Sequence, residues 1–235
     1  MPHSFASRCA PRLDVAPFRL SGTVVAALLN HRRSLAALGD AVHAPPYKSP
    51  PEAVVLAIKP PGALVRAGEA LLVDDAATEL EIGATLGVVI ASTACAVAEA
   101  DALSHVGAYL VVADAALPRA SHYRPQIRAM ARDSSCALGS SAAPRDDIRD
   151  PDALTMRTFV DGALAATAST AELIRPVARL IADISDFMTL HPGDLLLVGG
   201  AADLPRVRAG ARVAIEIDRV GRLETHVALA ERSAA

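Results

Sequence analysis

The stretch Thr78-Glu79-Leu80-Glu81-Ile82-Gly83-Ala84-Thr85-Leu86-Gly87-Val88-Val89-Ile90 decides how the chain is read. Its second half is apolar and β-branched, which predicts a buried strand. Its first half sets two carboxylates at i and i+2. Side chains two apart share one face of a strand, so Glu79, Glu81, Gly83 and Thr85 project together. Paired carboxylates running into a core suit a hard divalent cation, which takes oxygen ligands. The alternative is a solvated strand end with both glutamates in water.

Working outward, Gly107-Ala-Tyr-Leu-Val-Val-Ala-Asp114 reads as a second buried strand that closes on an acid. A carboxylate at the deep end of a strand needs a cation, a cap or a hydrogen-bond network. Residues 22–30 predict a strand leading into a turn or short helix over 31–42. Short strands follow at 54–58 and 71–73, and a short helix at 98–103. Residues 117–133 read as Arg-rich and irregular, and 134–150 as a polar loop. Residues 154–160 and 163–168 flank Asp161-Gly162, the signature of a hairpin. Ser169-Thr-Ala-Glu172 has the form of a capping box opening a helix. Leu173, Val177, Leu180, Ile184 and Phe187 then repeat at helical spacing, as core packing does. Strands at 195–198, 213–217 and 223–229 complete the pattern. It is β-rich with one main helix in the C-terminal third, an α+β class rather than alternating βαβ units.

The bulk properties narrow the function. At 235 residues the chain suits a single domain, here 22–235 behind a flexible leader over 1–21. It is 52% apolar but only 3% aromatic, with no Trp, so Ala, Val, Leu and Ile must build the core. A net charge of -3 offers no pull toward nucleic acid or an anionic membrane. No apolar run approaches the roughly 18 residues of a membrane span, and residues 1–20 hold no continuous apolar segment of a secretory signal. Cys9, Cys95 and Cys136 are odd in number and lack metal-type spacing, which fits a reducing cytoplasm. There is no nucleophile elbow, P-loop or dinucleotide fingerprint.

Taken in order, the Gly107–Asp114 run, Tyr123-Arg124-Pro125, Arg132-Asp133, Leu154-Thr-Met-Arg-Thr-Phe-Val-Asp-Gly162, Ser169-Thr-Ala-Glu-Leu-Ile174 and Phe187-Met-Thr-Leu-His-Pro-Gly-Asp194 resemble the fumarylacetoacetate hydrolase superfamily. Within it they are most similar to the isomerase/decarboxylase branch of aromatic (4-hydroxyphenylacetate) catabolism. The resemblance implies a mixed β-roll like the C-terminal domain of that family. It implies Mg2+ or Mn2+, and a small keto or enol dicarboxylate as substrate. The ion would polarise keto-acid oxygens so that an enolate can form. Carried over, the catalytic candidates are Asp114, Arg124, Arg132, Lys59 and Tyr123, and the metal candidates Asp114, Glu81 and Glu79. The family's Glu-x-Glu pair, however, falls on Gly83 and Thr85. Glu79 and Glu81 lie four residues earlier, about 13 Å along a strand. The family's lysine is matched by Met130, the His and Glu of its lid by Ser34 and Ala37, and its Gly-Thr-Pro turn by Gly199-Gly200-Ala201. The expectation is therefore a family subunit whose metal is weak or absent. It would serve a supporting role as a homodimer or as a heterodimer with an intact homologue. The alternative is an active divalent-metal isomerase/decarboxylase or C–C hydrolase for β-keto acids. Neither nucleic acid nor membrane is expected as a partner.

Overall fold

The computed structural model describes residues 13–15, 18–20, 22–119 and 127–230. In chain order the strands are β1 (Leu13–Val15), β2 (Phe18–Leu20), β3 (Val24–Leu28), β4 (Val55–Lys59), β5 (Leu64–Arg66), β6 (Ala70–Val73), β7 (Leu80–Ile90) and β8 (Val106–Ala116), then β9 (Cys136–Pro144), β10 (Thr155–Val160), β11 (Ala163–Ser169), β12 (Leu195–Leu197), β13 (Arg206–Val207), β14 (Arg212–Ile217) and β15 (Gly221–Leu229). The helices are α1 (Arg32–Ala36), α2 (Glu99–Ala102), α3 (Ile127–Met130) and α4 (Val177–Ser185). β1 and β2 pair with each other.

The large sheet runs β4-β3-β12-β7-β8-β9-β5, with β13 paired to the start of β7. The smaller sheet runs β11-β10-β14-β15-β6 and packs over β7, β8 and β9. Most neighbours are antiparallel, but β3–β12, β5–β9 and β6–β15 are parallel. This is the mixed, β-rich α+β architecture expected from the pattern.

Alternation along β7 and β8 creates the layers. Ile82, Ala84, Leu86, Val88 and Ile90, with Tyr109, Val111, Ala113 and Ala115, face the main core. Met156, Ile215, Leu223 and Val227 of the smaller sheet and Leu180, Ile181 and Ile184 of α4 close that core from the other side. The opposite face of β7 and β8 carries Gly83, Thr85, Gly87, Val112 and Asp114, paired Gly83↔Asp114 and Thr85↔Val112. A second, smaller apolar cluster sits there, with Val24, Ala26, Leu110, Val112, Leu138, Leu195 and Leu197. Gly87 must stay small, because a Cβ would meet Val112, Leu110 and Leu195 side chains at 3.0–3.1 Å.

Three local expectations need correction. The supposed loop over 134–150 contains β9, an inner strand between β8 and β5. Its small residues reflect tight packing, since a Cβ on Gly139 would lie 3.1 Å from the Val111 carbonyl oxygen. Second, the capping box closes only a 3-10 turn, in which Ser169 Oγ accepts from the Ala171 N–H at 3.2 Å. The helix proper begins at Val177, after Pro176. Proline disfavours helical backbone in the residue before it and is tolerated where a helix starts. Leu173 is thus buried ahead of the helix, and Phe187, 64% exposed, lies beyond it. Third, the described part of 117–133 includes α3. Among the described residues, no helix is long and apolar enough to cross a membrane.

Ile181 is wholly buried between α4 and the sheets. Ile181→Ala should lower stability by about 2–5 kcal/mol. Urea denaturation would register this as a lower midpoint with an unchanged slope.

Candidate functional site

The outer face of β7 and β8 opens onto a cleft of about 390 Å³. Its floor is Glu81, Gly83 and Thr85 of β7 and Asp114 of β8; the segment from Gly199 to Leu204 and the α1 region form its walls. Asp114 sits opposite Gly83 on one side and Cys136 of β9 on the other. Lys59, the last residue of β4, is fully buried, and its ammonium ion-pairs with Asp114 Oδ1. The same ammonium donates to the Met130 carbonyl at 2.5 Å. No hydrogen-bond donor aligns on Asp114 Oδ1 from elsewhere among the described residues. Desolvating either charge alone is costly, so the two depend on one another. Burial pushes the neighbouring Cys136 thiol up to about 12, with the Asp114 carboxylate adding to the effect. It is a neutral packing group and not a nucleophile.

Thr85 has a different task from the one its position suggests. Its hydroxyl accepts from the Gly199 N–H and donates to the Gly199 carbonyl, both at 3.2 Å. Gly199 has φ +106°, and a Cβ there would come within 3.0 Å of the Ala27 carbonyl oxygen. Thr85 therefore fixes the glycine turn that walls the cleft.

The two glutamates are answered by arginines. Arg206 donates to Glu81 Oε1 through Nη2 (3.0 Å) and Nε (3.3 Å), and Arg208 Nη2 donates to Glu79 Oε1 at 2.8 Å. β13 aligns Arg206 with Glu81 across the strands. The readable signal, missed in the sequence, is an Arg-x-Arg at 206–208 that matches the i, i+2 spacing of Glu79 and Glu81.

The structure thus brings Lys59 and Asp114 into contact and sets Glu81 on the same face, two cross-strand pairs along, where it lines the cleft. Glu79 precedes β7 and does not line the cleft. Arg132 reaches Asp74 instead, Nη1 to Oδ2 at 3.0 Å, and does not line the cleft either. Tyr123 and Arg124 lie outside the described residues. Met130 contributes its backbone carbonyl and not a side-chain charge. A divalent ion of the kind the family resemblance implies asks for several oxygen ligands, chiefly carboxylates. Gly83 has no side chain to offer and Thr85 is turned onto Gly199. Asp114 and Glu81 each face a cationic side chain, and among the described residues no three His, Cys, Asp or Glu groups gather about one point. The described residues do not fit a three-carboxylate ion.

Comparison with known proteins follows the same architecture. The model of the fumarylacetoacetate (FAA) hydrolase C-terminal family matches residues 23–228. The 4-hydroxyphenylacetate degradation bifunctional isomerase/decarboxylase of Salmonella dublin is 36% identical over 208 residues, covering 88% of this chain and 47% of that protein. The chain spans about half the length of the bifunctional relatives it matches. The structure of 5-carboxymethyl-2-hydroxymuconate delta-isomerase from Mycobacterium smegmatis superposes with a TM-score of 0.75 at 25% identity, over 91% of this chain and 81% of that one. Fumarylpyruvate hydrolase from Pseudomonas aeruginosa, solved with Mn2+ and pyruvate, shares the fold with a TM-score of 0.75 at 23% identity, over 91% of each chain.

Thr85→Val keeps the side-chain shape but strands both Gly199 groups without their partner. It should cost about 1–3 kcal/mol, measured as the drop in denaturant midpoint.

Proposed function

Because the chain belongs to the fumarylacetoacetate hydrolase family, we propose that it is a supporting module of an isomerase/decarboxylase for small keto and enol acids of 4-hydroxyphenylacetate-type catabolism. It forms a homodimer when alone, and a heterodimer with an intact homologue that carries the ion-dependent step. The observation that carries this reading is the pairing of Asp114 with Gly83: the position directly across from the one family-matched carboxylate has no side chain, and the next on that face, Thr85, is bonded to Gly199. The length relation supports a partner, since the bifunctional relatives are about twice as long as the matched region.

One observation favours a second reading. Glu81 and Asp114 share a face and line one cleft. An active divalent-metal enzyme could draw on both, with Glu81 leaving Arg206, because Mg2+ sites can use one or two carboxylates completed by water.

Calorimetric Mn2+ titration separates the two. Wild type should show no binding, whereas Gly83→Glu/Thr85→Glu should bind, because both new carboxylates lie on the face of Asp114. A Cβ at Gly83 would stand 3.2 Å from the Asp114 carbonyl oxygen. This crowding should cost about 1–3 kcal/mol, which a stable domain tolerates. Adding Met130→Lys to the double variant should bring trace decarboxylation of oxaloacetate. Wild-type binding as tight as that of the double variant would reject the supporting-module reading. So would Mn2+-dependent isomerisation of 5-carboxymethyl-2-hydroxymuconate by the isolated chain, lost in Glu81→Gln. Association is read by sedimentation, where a species larger than the 24.3 kDa monomer is expected, alone or with an intact homologue.

A further inference from the structure

The wall of the cleft formed by α1 is held in an unusual way. None of the five residues of α1 is buried, so no apolar side chain anchors it to the core. Segments with few buried apolar contacts open most readily. At its far end stands Gly39, with φ +51°, a backbone state that glycine adopts at little cost and that frees the segment to turn there. What holds α1 is a set of polar ties. Ser34 Oγ donates to the Gly200 carbonyl at 2.7 Å, joining α1 to the turn that Thr85 fixes. Arg33 donates through Nε to Glu172 at 3.1 Å and through Nη2 to the Thr167 carbonyl at 2.8 Å. The His31 ring caps the helix, its Nδ1 accepting from the Arg33 N–H at 3.3 Å, while Nε2 lies 3.2 Å from Glu172 Oε2.

His31 and the residue before it form a fixed post. The buried Asn30 side chain donates to the Arg175 and Val198 carbonyls and accepts from the Arg175 N–H. His31 itself bridges to Leu173 in antiparallel fashion. The ring is fully buried against this post. The segment from Ser34 to Ala37, which the resemblance aligns with the family's lid, lies in and just after α1; we propose that here it is latched by His31 and Glu172 and released by acid.

The chemistry of the ring gives the direction. Nδ1 can accept from Arg33 only through its lone pair, so the closed state requires the neutral ring with its proton on Nε2, facing Glu172. A proton on Nδ1 removes the cap. Burial is the largest influence and holds the ring below its ordinary pKa; Glu172, from the turn after β11, opposes that shift, and Arg33, from α1, adds to it. These are the charged groups that face the ring, together with the Ser169 carbonyl. Lifting α1 frees Nδ1 from the Arg33 N–H and takes the Arg33 charge away, which moves the ring back toward the ordinary value of about 6.5. The open state therefore binds the proton better. The latch is at full strength above that pH and weakens as pH falls from there through the depressed value of the closed state. The device is independent of whether the cleft turns over substrate.

Hydrogen exchange of the full chain between about pH 5 and pH 8, corrected for intrinsic rates, tests it. In the wild type, protection of the amides over 32–38 should fall on acidification. The fall should be about tenfold for each unit by which closure lowers the ring's pKa. Amides of β7 and β8 serve as the internal reference and should hold. His31→Asn keeps a competent cap but cannot titrate, so its protection should be flat with pH. If that variant is globally unfolded, as the β7 and β8 amides would reveal, His31→Gln takes its place. Glu172→Gln should exchange faster over 32–38 at every pH and keep the pH dependence. A wild type with a flat profile overturns the proposal. So does a titration-dead His31 variant that retains the wild-type slope. Neither result bears on Mn2+ binding, so the supporting-module reading stands or falls separately.

Discussion

Two eleven-residue strands lying antiparallel inside a sheet commit every side chain to one of two faces, because a one-residue slip would turn all of them over. The β7–β8 ladder imposes this constraint on the whole molecule. One face is sealed by β-branched and aliphatic residues that pack against the smaller sheet and α4. The other carries glycine, threonine and two carboxylates, Glu81 and Asp114, and opens onto the cleft. Site and core are thus consequences of a single register. Changes that preserve the inner face leave the architecture standing whatever happens on the outer one.

On that outer face the charges are answered within the protein. Lys59 meets Asp114, Arg206 meets Glu81, and Arg208 meets Glu79. The three pairs differ in kind. The arginine pairs lie toward the surface and contribute little to stability, as exposed ion pairs do. The Lys59–Asp114 pair includes an ammonium with no access to water, and losing one partner would leave an uncompensated buried charge. The cleft is accordingly rigid at its floor and soft at its rim.

The sequence showed the framework because the strongest patterns were periodic and long. The apolar run through β7, the acid-ended run of β8 and the Asp161-Gly162 hairpin all carry their signal locally. β9 was hidden because its glycine, alanine and serine residues mimic loop composition, and only the neighbouring Val111 backbone explains their size. The helix start was misplaced because a correct capping motif at Ser169 lies seven residues before the proline that sets the true boundary. At the site, Asp114 and Lys59 were legible as family-matched residues, but their contact joins strands 55 residues apart. The double role of Thr85 toward Gly199 was not legible, since the hydroxyl is satisfied 114 positions along the chain.

The rims of the two sheets deserve comparison. β4 ends in a buried lysine followed by two prolines, and β5 is three residues long and ends in arginine. Both are poor templates for another strand. β11 is longer, seven residues of alanine, leucine, threonine and serine, with no charge and no proline. Its Thr167 carbonyl is occupied by Arg33, the same guanidinium that helps hold α1. Displacement of α1 would therefore do more than unroof a cleft: it would free the Thr167 carbonyl and lengthen the unpaired margin that β11 already shows to solvent.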